Sequence, residues 1–191
     1  MNHVVNLPNV LTLIRIALIP IFILFYYLPW HYAHLAAALI FLVASFTDWL
    51  DGYLARRLHQ VSPFGAFLDP VADKLLVSCS LLMLVGNQEI YYITIPAIII
   101  VGREIVISAL REWMAELGRR ASVAVSYVGK VKTVFQMVAL ILLILYRPGL
   151  ELLNVCGVIL LWLSSILTIW SMVIYFLIAW RELTKKVETN S

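Results

Sequence analysis

The chain has 191 residues and a net charge of +3; 63% of its residues are hydrophobic and only 13% are charged. Soluble domains average about 45–50% apolar and about 25% charged residues, so this composition excludes a soluble globular fold. It also excludes a disordered chain, because so much apolar surface favours burial, and the small net charge gives no support for nucleic-acid binding.

Six apolar stretches approach or reach the length that crosses a membrane, because about 20 helical residues span a hydrocarbon core of about 30 Å. In chain order they are approximately Val10–Tyr27, His34–Ala55, Phe67–Val85, Tyr91–Leu110, Val131–Tyr146 and Leu152–Ala179. Turn-forming residues mark three of the connections: Pro29 with His31, Gly86 with Asn87, and Pro148 with Gly149. We therefore predict an all-α, polytopic membrane protein with six transmembrane helices.

Basic residues predict the orientation of these spans. Two connecting loops and the C-terminal tail fall on one side and carry Arg56, Arg57, Arg119, Arg120, Arg181, Lys185 and Lys186. The opposite loops hold a single base, Arg147, beside Glu89 and Glu151. The positive-inside rule then predicts that both termini are cytoplasmic. We expect one membrane domain over residues 1–181 and a polar C-terminal tail over 182–191.

All four aspartates of the chain, Asp48, Asp51, Asp69 and Asp73, lie within 26 residues. The first two are three residues apart and the last two are four apart, so each pair occupies one face of its helix. A short loop makes the two helices antiparallel neighbours, which predicts a four-carboxylate cluster just inside the membrane. Such a cluster needs cations, and oxygen ligands suit Mg²⁺ or Mn²⁺.

Single members of this cluster allow simpler interpretations. Asp69 before Pro70 is typical of an N-cap followed by proline at the first helical position, and Asp48 alone could be an interfacial loop acid. If Pro70 instead lies within the third helix, it should kink that helix and leave a carbonyl free. Neither simpler interpretation accounts for four acids together.

Small residues and a base accompany the acids. Gly52 and Ala55 leave a gap on one helix face that either admits a ligand to the backbone or allows close helix packing. Arg56 could clamp a phosphate with its planar guanidinium, or it could be an ordinary cytoplasmic flank. The residues alone leave both pairs of alternatives open.

The pattern Asp48-x-x-Asp51-Gly52-x-x-Ala55-Arg56, followed after eight residues by Gly65-x-x-x-Asp69-x-x-x-Asp73, resembles the signature of the CDP-alcohol phosphotransferase family. Four further stretches look like the bacterial branch that makes phosphatidylglycerol phosphate: Asn6–Arg15, Gly102–Glu104, Ala109–Gly118 and Gly129–Thr133. The resemblance extends over the whole chain.

This resemblance implies an enzyme of anionic phospholipid biosynthesis in the bacterial cytoplasmic membrane, with its active site facing the cytoplasm. Its implied reaction transfers the phosphatidyl group of CDP-diacylglycerol to the 1-hydroxyl of sn-glycerol 3-phosphate and releases CMP. It also suggests a homodimer surrounded by membrane lipids. Two alternatives stay open: a transferase of the same family with phosphatidylglycerol, inositol phosphate or serine as acceptor, and a metal-ion transporter, since intramembrane carboxylates also line ion pathways.

The resemblance also implies roles for the acidic cluster and its neighbours. Two Mg²⁺ or Mn²⁺ ions would bind Asp48, Asp51, Asp69 and Asp73, and Asp73 would also accept the proton of the attacking hydroxyl. The CDP moiety would be held by Gly52, Ala55, Arg56, Ser62 and Gly65, with Asn9 and Thr12 as possible additions. Asn9, Thr12 and Arg15 recur every three residues and so share a helix face, although the Thr12 hydroxyl could instead bond to its own helix.

An acceptor with a phosphate group needs a second, basic pocket. Arg103 is the first candidate, because it interrupts an apolar run where an unpaired guanidinium would be costly; the alternative is a structural pair with Glu104. Arg111 lies two helical turns further on and could share the phosphate. Lys130 and Lys132 point about 200° apart on a helix, so at most one enters the pocket directly unless a long side chain bends, and Lys130 is preferred.

Overall fold

The structure is a computed structural model, and it describes residues 7–57, 63–87, 89–116 and 127–184. Within these ranges the chain forms helices and no strands, which confirms the all-α prediction. The six helices are α1 (Leu7–Tyr27), α2 (Ala33–Arg57), α3 (Pro63–Val85), α4 (Thr94–Glu116), α5 (Tyr127–Leu145) and α6 (Glu151–Thr184).

Each predicted apolar stretch corresponds to one helix, but five helices, all except α2, extend at least three residues past the apolar window at one end. Some of these extensions carry charged residues, as in α4 up to Glu116. Hydropathy marks where apolar residues stop, whereas a helix stops only where its backbone hydrogen bonds end. The predicted turns lie between helices, and Gly149 has a φ of 96°, which glycine adopts at little cost.

The N-cap interpretation of Asp69 is wrong. Helix α3 begins at Pro63, and both Asp69 and Pro70 lie inside it. Proline suits the first helical position, where its missing N–H has no partner to lose, so Pro63 rather than Pro70 occupies the start. Asp69 and Asp73 are therefore one turn apart within a single helix.

The chain divides into two compact units. The first contains residues 1–90 and 140–155, and in it α1 packs against both α2 and α3. The rings of Phe22 and Phe41 are fully buried, with centroids 5.9 Å apart. Buried Ala37 and Ala44 leave room on α2 for this approach.

Hydrogen bonds fasten the turns of the first unit. Nδ1 of His34 lies 2.9 Å from the carbonyl oxygen of Ile144, and Arg147 donates to the carbonyl of His31. The side-chain amide of Asn87 donates to the Tyr26 hydroxyl at 2.9 Å. Hydrogen bonds to backbone carbonyls and to a side chain therefore connect the turns at this end of the first unit.

The second unit contains residues 91–139 and 156–191. Its apolar core includes Ile100, Ile107 and Leu161. Hydroxyl groups complete the packing: Ser164 donates to the Lys132 carbonyl at 3.2 Å, which joins α6 to α5, and Thr168 donates to the Ser164 carbonyl at 2.7 Å. Hydroxyls that bond to helix carbonyls avoid the cost of an unsatisfied buried polar group.

Large apolar side chains lie on the surface as well as in the core. Exposed large apolar side chains cover much of the helices, and the buried positions include, beside an apolar core, the polar residues Asn9, Arg15, Lys132, Gln136 and several hydroxyls. By length and composition, Asn9–Tyr27 and Glu151–Trp180 could each cross a membrane, and Ala33–Asp48 and Val131–Leu145 are shorter apolar helices.

Candidate active site

One face of α1 carries polar side chains into the first unit. Asn9, Thr12 and Arg15 are 1%, 0% and 0% exposed. Their spacing of three residues places them along the same side of the helix, as the sequence predicted. A buried guanidinium in an otherwise apolar helix requires an anionic partner.

The partners of this face are two of the predicted aspartates. The Thr12 hydroxyl donates to Oδ1 of Asp69 at 2.6 Å, and Nη1 of Arg15 donates to Oδ1 of Asp48 at 2.5 Å. Thr12 and Arg15 are about 4.5 Å apart along the helix axis. Helix α1 therefore contacts one carboxylate of α2 and one of α3 from positions one turn apart.

The contacted aspartates remain accessible. The Asp48 side chain is 44% exposed although the Arg15 side chain is fully buried, and Asp69 and Asp73 are half-buried on α3. Partly exposed carboxylates suit a site that exchanges a charged ligand, because they need no full desolvation. The donor set is all oxygen, which fits a hard divalent ion such as Mg²⁺ or Mn²⁺.

The four-carboxylate cluster stays a prediction. Among the residues whose side chains the structure describes, no group of three Asp, Glu, His or Cys is placed to hold a metal ion. Backbone positions of Asp51, Gly52, Ala55 and Arg56 lie on α2, but their side chains fall outside the described set. Ser62 lies outside the described residues altogether, and Gly65 is buried in α3.

Arg15 is the site residue that sequence reasoning left without a role. Its position on the Asn9 and Thr12 face was visible from spacing, and a base inside an apolar run was itself a signal. What spacing could not supply was the partner, because Asp48 lies 33 residues further along the chain. The contact makes Arg15 a counter-charge of the acidic region, by which we mean Asp48, Asp51, Asp69 and Asp73.

The second unit contains a cluster of the opposite sign. Nη1 of Arg103 donates to Oε1 of Glu104 at 2.7 Å, and Nη2 donates to the Ser171 hydroxyl oxygen at 3.2 Å. The pair with Glu104, left open by the sequence, is therefore present. The Nε atom of Arg103 is buried and has no hydrogen-bond partner within the described part of the chain.

Lys132 joins the same cluster. Its Nζ lies 3.4 Å from Oε1 of Glu104, and the residue is 5% exposed. The preference for Lys130 stays a prediction, because Lys130 lies on α5 but its side chain is outside the described set. We call this cluster of Arg103, Glu104 and Lys132 the basic triad. Its two cations and one carboxylate give it a formal charge of +1.

Arg111 extends this basic region along α4. Its Nη2 donates to the Tyr175 hydroxyl at 3.0 Å, and its guanidinium carbon lies 5.2 Å from the centre of that ring. Tyr175 is one turn beyond Ser171 on α6, so Arg103 and Arg111 contact α6 at successive turns. Arg111 is exposed and remains available to a ligand.

Comparison with known proteins gives a consistent answer. The family described as CDP-alcohol phosphatidyltransferase matches residues 5–170. A relative from Escherichia coli (strain K12), named CDP-diacylglycerol–glycerol-3-phosphate 3-phosphatidyltransferase, is 54% identical over 170 residues, which cover 89% of this chain and 92% of the relative. Relatives of the same name from Shigella sonnei and Shigella flexneri have the same identity and coverage. The resemblance inferred from the aspartate pattern is thereby confirmed, and the chain belongs to the CDP-alcohol phosphatidyltransferase family.

Proposed function

We propose that this chain transfers the phosphatidyl group of CDP-diacylglycerol to sn-glycerol 3-phosphate, which forms phosphatidylglycerol phosphate and CMP. The observation that carries the proposal is the 54% identity over 89% of the chain to proteins named for this reaction. Identity of that extent covers both the acidic region and the basic triad. The product is an intermediate of anionic phospholipid biosynthesis.

The chemistry is a displacement at the phosphorus of the phosphatidyl group. The 1-hydroxyl oxygen of the acceptor forms the new P–O bond, the P–O bond to CMP breaks, and CMP leaves with the electron pair. Asp73 accepts the hydroxyl proton. General base catalysis of this kind contributes about 10²–10⁴-fold.

Asp48, Asp51, Asp69 and Asp73 would hold two Mg²⁺ or Mn²⁺ ions. Such ions supply charge stabilisation for the diphosphate and its leaving oxygen. Thr12 and Arg15 orient Asp69 and Asp48 through the contacts described above. Arg15 also removes part of the mutual repulsion of the carboxylates before any cation binds.

Two further sets of residues bind the substrates. The CDP moiety contacts Asn9, Thr12, Gly52, Ala55, Arg56, Ser62 and Gly65. The acceptor phosphate contacts Arg103, Arg111 and Lys132, with Lys130 as a further candidate. Guanidinium and ammonium groups bind a phosphate through charge-assisted hydrogen bonds, which are about twice as strong as neutral ones.

We also propose that the six helices are six membrane spans, with both termini and the active site on the cytoplasmic side of the bacterial cytoplasmic membrane. Support comes from the exposed apolar side chains, from the two helices long and apolar enough to cross, and from the distribution of basic residues. In this arrangement the acyl chains of the donor remain in hydrocarbon while its nucleotide stays in water. The active form is a homodimer.

A panel of radiolabelled acceptors tests the function. The purified chain is mixed with CDP-diacylglycerol in detergent micelles, with Mg²⁺ or Mn²⁺, and with glycerol 3-phosphate, inositol phosphate, serine or phosphatidylglycerol in turn. We expect lipid-soluble label and an equal amount of CMP with glycerol 3-phosphate and loss of both on addition of EDTA. Turnover with another acceptor alone would overturn the assignment, and metal flux into liposomes without lipid turnover would favour a transporter.

A further inference from the structure

Glu104 occupies the centre of the basic triad. One oxygen of its carboxylate, Oε1, accepts a hydrogen bond from Nη1 of Arg103 at 2.7 Å and lies 3.4 Å from Nζ of Lys132. The three side chains are 12%, 23% and 6% exposed for Arg103, Glu104 and Lys132. Because Lys132 lies on α5 and the other two on α4, the carboxylate joins two helices of the second unit.

Without this carboxylate the positive charges of Arg103 and Lys132 would repel each other and destabilise their present arrangement. Like charges at short distance in a partly buried site repel strongly, and a buried ion that loses its partner moves toward solvent or forces the packing to change. Glu104 offsets one of the two charges and leaves a net charge of +1. The triad can therefore keep both cations in place before any anion arrives.

The orientation of Arg103 is fixed from two sides. Nη1 binds Glu104 and Nη2 binds Ser171 on α6, so the plane of the guanidinium is set by contacts to two helices. Its Nε is buried and lacks a partner within the residues that the structure describes. Buried donors in native proteins nearly always have an acceptor, so within the described residues this guanidinium is incompletely paired.

We propose that Glu104 is a positioning residue of the acceptor site, which holds Arg103 and Lys132 in the arrangement that binds the phosphate of glycerol 3-phosphate. This inference rests on the proposed function. By holding the two cations in place, Glu104 favours binding of the phosphate, although its own negative charge repels that phosphate. If Glu104 only competed with the phosphate for the two cations, its removal would lower the KM for glycerol 3-phosphate. If Glu104 positions the cations, its removal raises that KM.

The test compares Glu104→Gln and Glu104→Asp with a matched variant, Glu112→Gln, which removes an exposed carboxylate from the same helix. The KM values for glycerol 3-phosphate and for CDP-diacylglycerol are measured by CMP release, and thermal unfolding of each purified variant checks that it folds. For Glu104→Gln we expect the KM for glycerol 3-phosphate to rise about tenfold, equivalent to about 1.4 kcal/mol. The KM for CDP-diacylglycerol should change less than about twofold, a difference below about 0.4 kcal/mol.

The conservative and control variants complete the prediction. Glu104→Asp keeps the carboxylate on a shorter stem, so it should recover part of the loss, whereas Glu112→Gln should leave both KM values unchanged. A lower KM for glycerol 3-phosphate in Glu104→Gln, or an unchanged one, would overturn the positioning role. Equal changes in both KM values with no recovery in Glu104→Asp would do the same.

Failure of the proposed function would be recognised separately. If the wild-type chain released no CMP with glycerol 3-phosphate, the reaction itself would be wrong. If the wild-type chain were active and only the Glu104 variants behaved otherwise than expected, the reaction would stand and the role of Glu104 would be wrong.

Discussion

The two units of the molecule solve the same electrostatic problem with opposite signs. In the first, the buried guanidinium of Arg15 contacts the partly exposed carboxylate of Asp48. In the second, the carboxylate of Glu104 contacts both Arg103 and Lys132. Under the proposed function, the carboxylates of the first unit bind a divalent cation and the basic triad binds the phosphate of the acceptor.

The largest effect should come from the acidic region. Asp73→Asn removes the proposed base but keeps the shape of the side chain, so turnover should fall about 10³-fold, within the range of about 10²–10⁴ for general base catalysis. CMP release measures turnover, and equilibrium binding of CDP-diacylglycerol should be largely retained. Glu89→Gln, an exposed acid in the first unit, serves as the control. Substantial activity in the purified Asp73→Asn protein would refute the assignment.

A change in the basic triad should act on the acceptor alone. Arg103→Ala removes charge-assisted hydrogen bonds worth about 1.5–3 kcal/mol, so the KM for glycerol 3-phosphate should rise about 30-fold. The KM for CDP-diacylglycerol should stay nearly constant in Arg103→Ala. The control is Arg147→Ala, which alters a turn of the first unit and should leave the KM values for both substrates unchanged. Equal increases in both KM values of Arg103→Ala would indicate general misfolding and remove the distinction between the units.

The counter-charge of the first unit should matter for stability. Arg15→Met leaves Asp48 without its buried partner, and because that carboxylate is 44% exposed we expect a loss of only about 2 kcal/mol, typical of a hydrogen bond to a charged group. Thermal unfolding in detergent measures this loss. Arg15→Lys, which retains the charge, should recover part of it. An unchanged unfolding temperature in Arg15→Met would show that the pair adds nothing.

The smallest effect should come from Thr12. Thr12→Val keeps the volume but removes the hydroxyl that donates to the Asp69 carboxylate, a contact to a charged group worth about 1.5 kcal/mol. The Mn²⁺ concentration for half-maximal activity should rise about tenfold, since about 1.4 kcal/mol corresponds to tenfold. Thr12→Ser retains the hydroxyl and should behave as the wild type. If Thr12→Val behaved as the wild type and Thr12→Ser did not, the methyl group rather than the hydroxyl would be the important part of the side chain.

The sequence predicted the helices well, because apolar runs of this length and the turn residues between them leave few alternatives. It left two positions open for Pro70, because aspartate before proline is typical of a helix start, and the position of Pro63 shows that the start lies earlier and that Pro70 lies within the helix. The helix ends were also missed, since charged residues such as Glu116 continue a helix without continuing an apolar window.

The sites were predicted unevenly for a related reason. Spacing within a helix identified the Asn9, Thr12 and Arg15 face and the aspartate pairs, since it depends only on helix geometry. Contacts between helices were not available from spacing. The partner of Arg15 and the contact between Lys132 and Glu104 depend on how separate helices pack, so the sequence reasoning assigned Arg15 no role. The preference for Lys130 stays a prediction, because its side chain lies outside the described set.

Titration of Mn²⁺ into the purified protein, followed by electron paramagnetic resonance, tests the division between the units most directly. We predict about two ions per chain, as in other two-metal sites, with loss of at least one in Asp69→Asn and no loss in Arg103→Ala. If the wild-type chain bound no Mn²⁺, or if Arg103→Ala reduced binding as much as Asp69→Asn, the assignment of cation binding to the first unit would be contradicted.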